Sequence, residues 1–258
     1  MASSDSPVTP YDALAAGYDV VMAHVDYGEW AEYVLDLFEE HEAWPQSVLE
    51  LGCGTGSLAL EMQERGPHGG FRYLATDRSP AMIRVARAKA KLQGRAAGRL
   101  RFDVADFTDF EFDERFDAAL LLYDGLNYLL EDEEVAVMLA HVHDVLAPGG
   151  VFVLDQSTPT NSVNNAEYFG DEGEAEAFAY VRRSGYDPAT RLHTTEFDMT
   201  VEGETYTERH VQRAYTLAEI EALVAASPLE TVAAYDGFTT DPATEASERI
   251  HWVLRRAD

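Results

Sequence analysis

A chain of 258 residues, 46% of them hydrophobic, is long enough for one well-packed domain with an insertion, or two small ones. Its 47 Asp and Glu against 19 Lys and Arg leave a formal charge of −28, which repels nucleic-acid phosphates and argues against nucleic acid as a partner. No apolar run reaches the roughly eighteen residues of a membrane span, the first residues lack the basic and apolar regions of a signal peptide, and the single cysteine, Cys53, excludes an internal disulfide.

The expected location is therefore the cytoplasm. Only Lys89 and Lys91 are lysines. The acidic excess reads as a solvated surface, or more sharply as adaptation to a high-salt cytoplasm, where screening removes self-repulsion. A cationic substrate would also attract it, but charge spread along the whole chain suits that poorly.

In chain order, residues 1–9 read as a disordered tail. A helix is predicted over 11–24, with Leu14, Ala15, Tyr18, Val21 and Met22 on related faces, and another over 27–42, carrying Trp30, Tyr33, Val34, Leu37 and Phe38 at helical spacing. The apolar strand Val48-Leu49-Glu50-Leu51 then runs into Gly52, Gly54 and Gly56, and a helix follows over 57–65. Strand, glycine turn and helix in that order build a ligand site at the carboxyl edge of a parallel sheet. The spacing selects among ligands. A dinucleotide fingerprint needs glycine at position 57, which is Ser57, and a phosphate loop needs a Gly-Lys pair that is absent. Cys53 fits a small packed residue better than a nucleophile, since no partner base accompanies it.

A second strand over 71–76 ends at Asp77, placed to accept both hydroxyls of a ribose. Ser79 and Pro80 open a helix to about residue 93. A third strand over 100–105 ends at Asp106, which could accept from an adenine amine while Phe107 packs on the ring. Together these describe a nucleoside site without a phosphate anchor. A fourth strand is predicted over 115–122, followed by Tyr123-Asp124-Gly125-Leu126-Asn127-Tyr128, a helix over 132–146 stopped by Ala147-Pro148-Gly149-Gly150, and a buried fifth strand over 151–155.

From residue 158 the pattern changes. Residues 161–175, polar and acidic, read as a mobile loop. Alternating segments over 177–183, 192–201 and 205–215 read as an antiparallel meander over the carboxyl end of the sheet. Thr216 and Glu219 form a capping box for a helix to 226, and strands over 229–235 and 250–255 finish the chain. The expected divisions are a tail and helical cap (1–45), a ligand-binding core (46–157), a β insertion (158–215) and the last helix and strands of the core sheet (216–258). The fold class is α/β: a Rossmann-like, seven-stranded, mostly parallel sheet with helices on both faces, the cap and the inserted meander.

The segments Glu50-Leu51-Gly52-Cys53-Gly54-Thr55-Gly56, Thr76-Asp77-Arg78-Ser79-Pro80-Ala81-Met82 and Ala105-Asp106-Phe107 resemble the class I S-adenosylmethionine-dependent methyltransferases over residues 46–156. The resemblance implies S-adenosylmethionine as cofactor. It implies Glu50 and Gly52, Gly54 and Gly56 along its methionine part, Asp77 on the ribose, Met82 near the adenine, and Asp106 with Phe107 at the adenine edge. Tyr11, Tyr18-Asp19 and Met22 ahead of the glycine strand resemble the Y-D-x-x-M cap of a bacterial subgroup, which implies a contact from Tyr18.

Methyl transfer requires a nucleophile held in line with the sulfonium methyl, and a base only when the nucleophile arrives protonated. No catalytic residue is therefore legible. Tyr123-Asp124 stands after the fourth strand, where base-amino methyltransferases carry Asn-Pro-Pro-Tyr, a second argument against nucleic acid. Tyr123, Asn127, His210, Gln212 and Arg213 are candidates for the substrate pocket, with His210 and Gln212 on one meander face and Arg213 expected to pair with a nearby carboxylate. His141 and His143 cannot share a helix face, and no residue cluster suggests a metal. The expected activity is methylation of nitrogen or oxygen on a small molecule. The alternatives are a cofactor-binding sensor or assembly partner without transferase activity, and a protein methyltransferase.

Overall fold

The computed structural model describes residues 10–67, 70–95, 98–168 and 170–257, so the expected disordered tail lies outside the described residues. The chain begins with a 3-10 turn, Leu14–Ala16, and a one-turn helix, α1 (Tyr18–Val21). The single helix predicted over 11–24 is thus broken at Gly17. A side chain would not fit there: a Cβ on Gly17 would lie 2.2 Å from the ring of Phe178. The longer helix α2 (Tyr27–Glu40) is capped by Asp26, whose carboxylate accepts from the amides of Gly28 and Glu29. It buries Trp30, Tyr33, Val34, Leu37 and Phe38, the predicted stripe.

The core then alternates strand and helix: β1 (Ser47–Leu51), α3 (Ser57–Arg65), β2 (Arg72–Asp77), α4 (Pro80–Leu92), β3 (Leu100–Val104), β4 (Phe116–Leu121), α5 (Asp132–Val145) and β5 (Leu146–Ser157). A 3-10 turn, Leu126–Tyr128, sits between β4 and α5. Ser79 caps α4 by accepting from the amide of Met82, with Pro80 in the first turn where its missing N–H costs nothing. The strand expected to begin at 151 begins at Leu146, because Ala147–Gly150 runs on as irregular strand. Gly149 takes φ +73° there, and the register against β4 shifts between Phe116 and Ala118.

The chain continues through α6 (Pro159–Asn164), a 3-10 turn (Ala166–Tyr168), β6 (Gly170–Ala175), β7 (Phe178–Asp187), β8 (Leu192–Val201), β9 (Glu204–Arg213), α7 (Leu217–Ala225), β10 (Leu229–Asp236) and β11 (Arg249–Arg256). The loop expected over 161–175 is therefore corrected. Its first part is helix, capped by Thr158, and its last part is an edge strand paired with β7. An edge strand fills its backbone bonds on one side only and leaves its polar side chains in water, so β6 shows no apolar alternation to read.

The seven-stranded sheet has the order β10-β11-β5-β4-β1-β2-β3, and the meander forms a separate antiparallel sheet, β6-β7-β8-β9. Strands β1 to β5 run parallel, while β11 pairs antiparallel with both β5 and β10. Because β1 pairs with β2 on one side and β4 on the other, the chain reverses direction across the sheet there, and the crevice beyond its carboxyl end is where such sheets bind ligands. Two apolar clusters cover the two faces of the sheet. A third joins the N-terminal segment to the meander through Leu14, Val21, Met22, Phe178, Tyr180, Phe197 and Met199. The cap thus packs on the meander through its own small core.

Candidate active site

The glycine turn after β1 is left-handed at three alternate positions, with φ +65° at Gly52, +55° at Gly54 and +76° at Gly56. Side chains rarely adopt that conformation. Gly56 is doubly constrained, since a Cβ there would lie 2.7 Å from the ring of Phe102. Beside the turn, Asp77 ends β2 with 8% of its surface exposed. Its Oδ2 accepts from Gly54 N at 2.9 Å and its Oδ1 from Ser79 N at 2.8 Å. Burial pushes its carboxyl up, against these two amides. Each oxygen keeps a lone pair for a further donor. Glu50, buried in β1, accepts from Tyr73 Oη at 2.8 Å. Burial pushes its carboxyl up to about 7, with the Tyr73 hydroxyl opposing and Asp77 adding to the rise.

A cavity of about 290 Å³ opens on this cradle, walled by Tyr18, Gly52, Gly54, Asp77, Met82 and Phe107. A narrow extension of about 30 Å³ reaches Glu50 and Trp30, again past Tyr18, Gly52 and Gly54. The structure brings these predicted residues together, and Tyr123 lines both spaces. Gly56 is the cap residue of α3 and shapes the turn from behind. Asp106 stands apart from the cavity lining: its Oδ1 accepts from the amide and hydroxyl of Thr108 at 2.9 and 2.7 Å, so the carboxylate closes its own turn.

A second cavity, of about 220 Å³, lies under the meander. The register of the meander explains its lining. Phe197 pairs with Glu208, Thr195 with His210 and His193 with Gln212, while Ser184 pairs with Thr195 across β7. Paired residues share a sheet face, and Ser184, His193, Thr195, Phe197, His210 and Gln212 all line the cavity. His210 and Gln212 thus share a face as predicted.

The two cavities have five residues in common: Tyr11, Tyr18, Tyr123, Tyr128 and His210. The turn carrying Tyr123 is unusual, with φ +64° at both Tyr123 and Asp124. Such conformations persist where the surroundings hold them. Arg249 does so, bonding Asp124 at 2.7 Å and contacting the buried Asp155, which also accepts from Asp124 N at 3.1 Å. Two candidates line this second cavity and also tie the framework together. Asn127 donates to Ser157 O and Arg213 O at 2.9 and 2.7 Å and accepts from Ser157 N at 3.0 Å, which fixes the turn to β5 and β9. Arg213 pairs with Asp132 and Glu219, each at 2.9 Å, the carboxylate pairing expected for it.

The sequence reading missed Tyr128, Glu208, Ser184, His193, Thr195 and Arg249. For the three residues on β7 and β8 a signal existed in the alternation that placed His210 and Gln212 on one face. Arg249 lies between the two last predicted strands and offers none.

The geometry has counterparts among known proteins. Residues 48–150 match the family model described as "Methyltransferase domain". YqeM of Bacillus subtilis, a methyltransferase by name, is 26% identical over 96% of this chain and 97% of its own length. An S-adenosylmethionine-dependent methyltransferase from Clostridium acetobutylicum superposes with a TM-score of 0.77 at 21% identity, covering 96% of this chain and 99% of its own. The sugar N-methyltransferase KedS8 from Streptoalloteichus gives 0.71 at 23% identity, covering 100% and 99%. The parallel sheet with its antiparallel end is thus the fold of the S-adenosylmethionine-dependent methyltransferase on which it superposes, and residues 48–150, with the left-handed glycine turn beside a buried carboxylate, match a methyltransferase domain.

Proposed function

We propose that the chain methylates a nitrogen or oxygen atom of a small polar molecule held under the meander. One observation carries this reading: two adjoining cavities share a wall of four tyrosines and His210, one on the glycine cradle and one beneath the meander. The cradle suits S-adenosylmethionine. Asp77 is the acceptor for the ribose hydroxyls, Met82 and Phe107 flank the adenine, and Glu50, Gly52 and Gly54 border the methionine part. Tyr18 covers the cofactor from the cap and excludes water. When bound, S-adenosylmethionine supplies an electrophilic methyl group on a sulfonium sulfur.

The acceptor cavity is small and mixed in character, with Leu14, Val21, Met22 and Phe197 beside its polar groups. Its arginines are already paired, Arg182 with Asp171 and Arg213 with Asp132 and Glu219, so they do not call for an anion. Ser184 and Thr195, whose hydroxyls bond each other at 2.7 Å, and Gln212, which donates to Asp124 O at 3.3 Å, keep further hydrogen-bonding capacity that suits an acceptor rich in hydroxyls, such as an amino sugar. That KedS8 is named a sugar N-methyltransferase agrees with this class. A volume of about 220 Å³ is on the scale of a small molecule.

The test is formation of S-adenosylhomocysteine from S-adenosylmethionine across a panel: glucosamine and other amino sugars, simple amines, alcohols, a quinol and a lysine-containing peptide. Turnover confined to small amines or alcohols is expected. Turnover of the peptide alone, or none at all despite tight S-adenosylhomocysteine binding, overturns the proposal.

A further inference from the structure

His210 stands on the inner face of β9 with 3% of its surface exposed. Its Nδ1 lies 3.1 Å from Tyr128 Oη and its Nε2 lies 3.3 Å from Glu208 Oε2. Glu208 is fully buried and also accepts from the amides of Tyr11, Ala13 and Leu14, at 2.8, 2.7 and 3.0 Å. Burial would raise its carboxyl, but the bonds from His210 and the three amides together hold it below the ordinary value. It is therefore ionised at neutral pH and can only accept. That fixes the imidazole: Nε2 carries the hydrogen and donates to Glu208, and Nδ1 is left as a base facing a phenol. Tyr128 Oη also shares a short contact with Tyr11 Oη. Burial holds the Tyr128 phenol well above its ordinary range, so it passes a proton without resting as a phenolate. All three rings lie in the wall common to both cavities.

We propose that Tyr128, His210 and Glu208 form a proton relay, and that the acceptor is an amine that arrives as its ammonium. This rests on the methyl-transfer reading above. An ammonium has no lone pair to attack with, so a proton must leave first. It passes from the acceptor nitrogen to Tyr128 Oη as the Tyr128 proton moves to His210 Nδ1. The resulting imidazolium lies against the Glu208 carboxylate, which stabilises it. The freed lone pair on nitrogen then forms the new bond to the methyl carbon, while the carbon–sulfur bond breaks and its electron pair stays on sulfur. The positive charge moves from sulfur to nitrogen, and atoms and electrons balance. His210 and Tyr128 are the catalytic residues, and Glu208 is a positioning residue that sets the tautomer.

Groups facing this relay are few. Tyr11 meets the imidazole ring from the N-terminal segment with centroids 4.7 Å apart, and Phe197 meets it from β8 at 5.4 Å. Asp77 and Asp124 act on Tyr128 through their charge. Arg209, exposed and next to His210 on the strand, also lines the cavity on the glycine cradle. The acceptor cavity adds His24, His193 and three paired groups, Arg182 with Asp171, Asp124 with Arg249, and Arg213 with Asp132 and Glu219.

Two measurements test the relay. Nitrogen-15 NMR of the histidines, on the free full-length protein, reads the tautomer without either reactant. The Nε2–H form of His210 is expected in the wild type. In Glu208→Gln the new side-chain amide should donate to Nε2 and reverse the tautomer, while its carbonyl still accepts from the amides of Ala13 and Leu14; the Tyr11 amide, which shares Oε2 with His210, loses its acceptor. An Nδ1–H wild type overturns the relay even if the protein methylates amines. The second measurement is the pH profile with whichever panel amine turns over fastest. His210→Gln, Tyr128→Phe and Glu208→Gln should each lower kcat about 100-fold or more, with KM and S-adenosylhomocysteine affinity within about threefold. The acid limb of the kcat profile should move to higher pH in His210→Gln, because the amine must then lose its proton without the relay. Overturning results are a His210→Gln kcat within threefold of wild type, an unchanged acid limb, or a panel in which no amine is methylated. Calorimetry with S-adenosylhomocysteine reports separately whether the cofactor site itself has failed.

Discussion

Asp77 and Glu50 are both buried carboxylates at the glycine turn, yet they carry different costs. Asp77 has two backbone amides to accept from, whereas Glu50 has one phenol. Asp77→Ala removes the proposed acceptor for the ribose hydroxyls and should weaken S-adenosylhomocysteine binding by about 1–3 kcal/mol, measured by calorimetry. Unchanged affinity would detach Asp77 from the cofactor. Glu50, raised to about 7 by burial, binds its proton more tightly folded than unfolded. Between its unfolded value and about pH 7 the native state holds more protons, so its contribution to stability falls as pH rises through that window. Glu50→Gln should therefore stabilise the free protein above pH 7, by up to about 3 kcal/mol if the whole shift is recovered, and flatten the pH dependence below it. Urea midpoints from pH 5 to 8 would show this. A less stable glutamine variant at pH 8 would mean that the ionised carboxylate is needed in the fold.

At the scale of elements, the cap is held from several directions. Lys89 Nζ on α4 bonds Asp19 at 2.7 Å, Thr55 at 3.0 Å and Ser57 at 2.9 Å. Glu208 on β9 holds the backbone from Tyr11 to Leu14. Gly17 admits the ring of Phe178 between these points. Its backbone is at φ −122°, open to any residue, so the effect of a side chain there is steric alone. Gly17→Ala should push the cap off the meander, destabilise the protein by about 1–3 kcal/mol, and weaken S-adenosylhomocysteine binding as Tyr18 shifts from Gly54. Hydrogen exchange should rise at residues 13–22 and not in β1. If protection and affinity are both unchanged, the cap does not depend on this contact.

For the whole molecule, electrostatics is governed by the charge of −28. Like charges repel across a Debye length of about 10 Å at 0.1 M salt and about 3 Å at 1 M. Unfolding spreads them, so self-repulsion lowers stability at low ionic strength. The ion pairs among the described residues are mostly at the surface, such as Arg183 with Asp198 and Arg65 with Glu61, and contribute little individually. Molar potassium chloride should therefore raise the melting temperature, with the gain levelling off once screening is complete. A variant with about ten exposed acidic residues changed to glutamine should respond much less. A melting temperature flat in salt, or equal salt sensitivity in that variant, would remove the high-salt reading.

What the sequence determined by itself was local and periodic. Apolar runs ending in Gly52 and Asp77 specified a parallel sheet with a ligand at its carboxyl edge, because burial on both faces demands such runs and a sharp turn demands glycine. The capping residues Ser79 and Thr216 marked their helices for the same local reason. Tertiary structure decided whatever depends on a distant partner. Position 17 has no room for a side chain only because the ring of Phe178, far along the chain, occupies that space. Asn127 and Arg213 are bound into the framework, and Asp106 closes its own turn, so none of the three roles follows from residue type. β6 is a strand because β7 lies beside it, not because its side chains alternate. The wall of Tyr11, Tyr128 and His210 joins residues from three separate segments, and no spacing in the sequence encodes their meeting. Periodicity tells which face of an element is buried. Only packing tells which residues meet on the other side of that face.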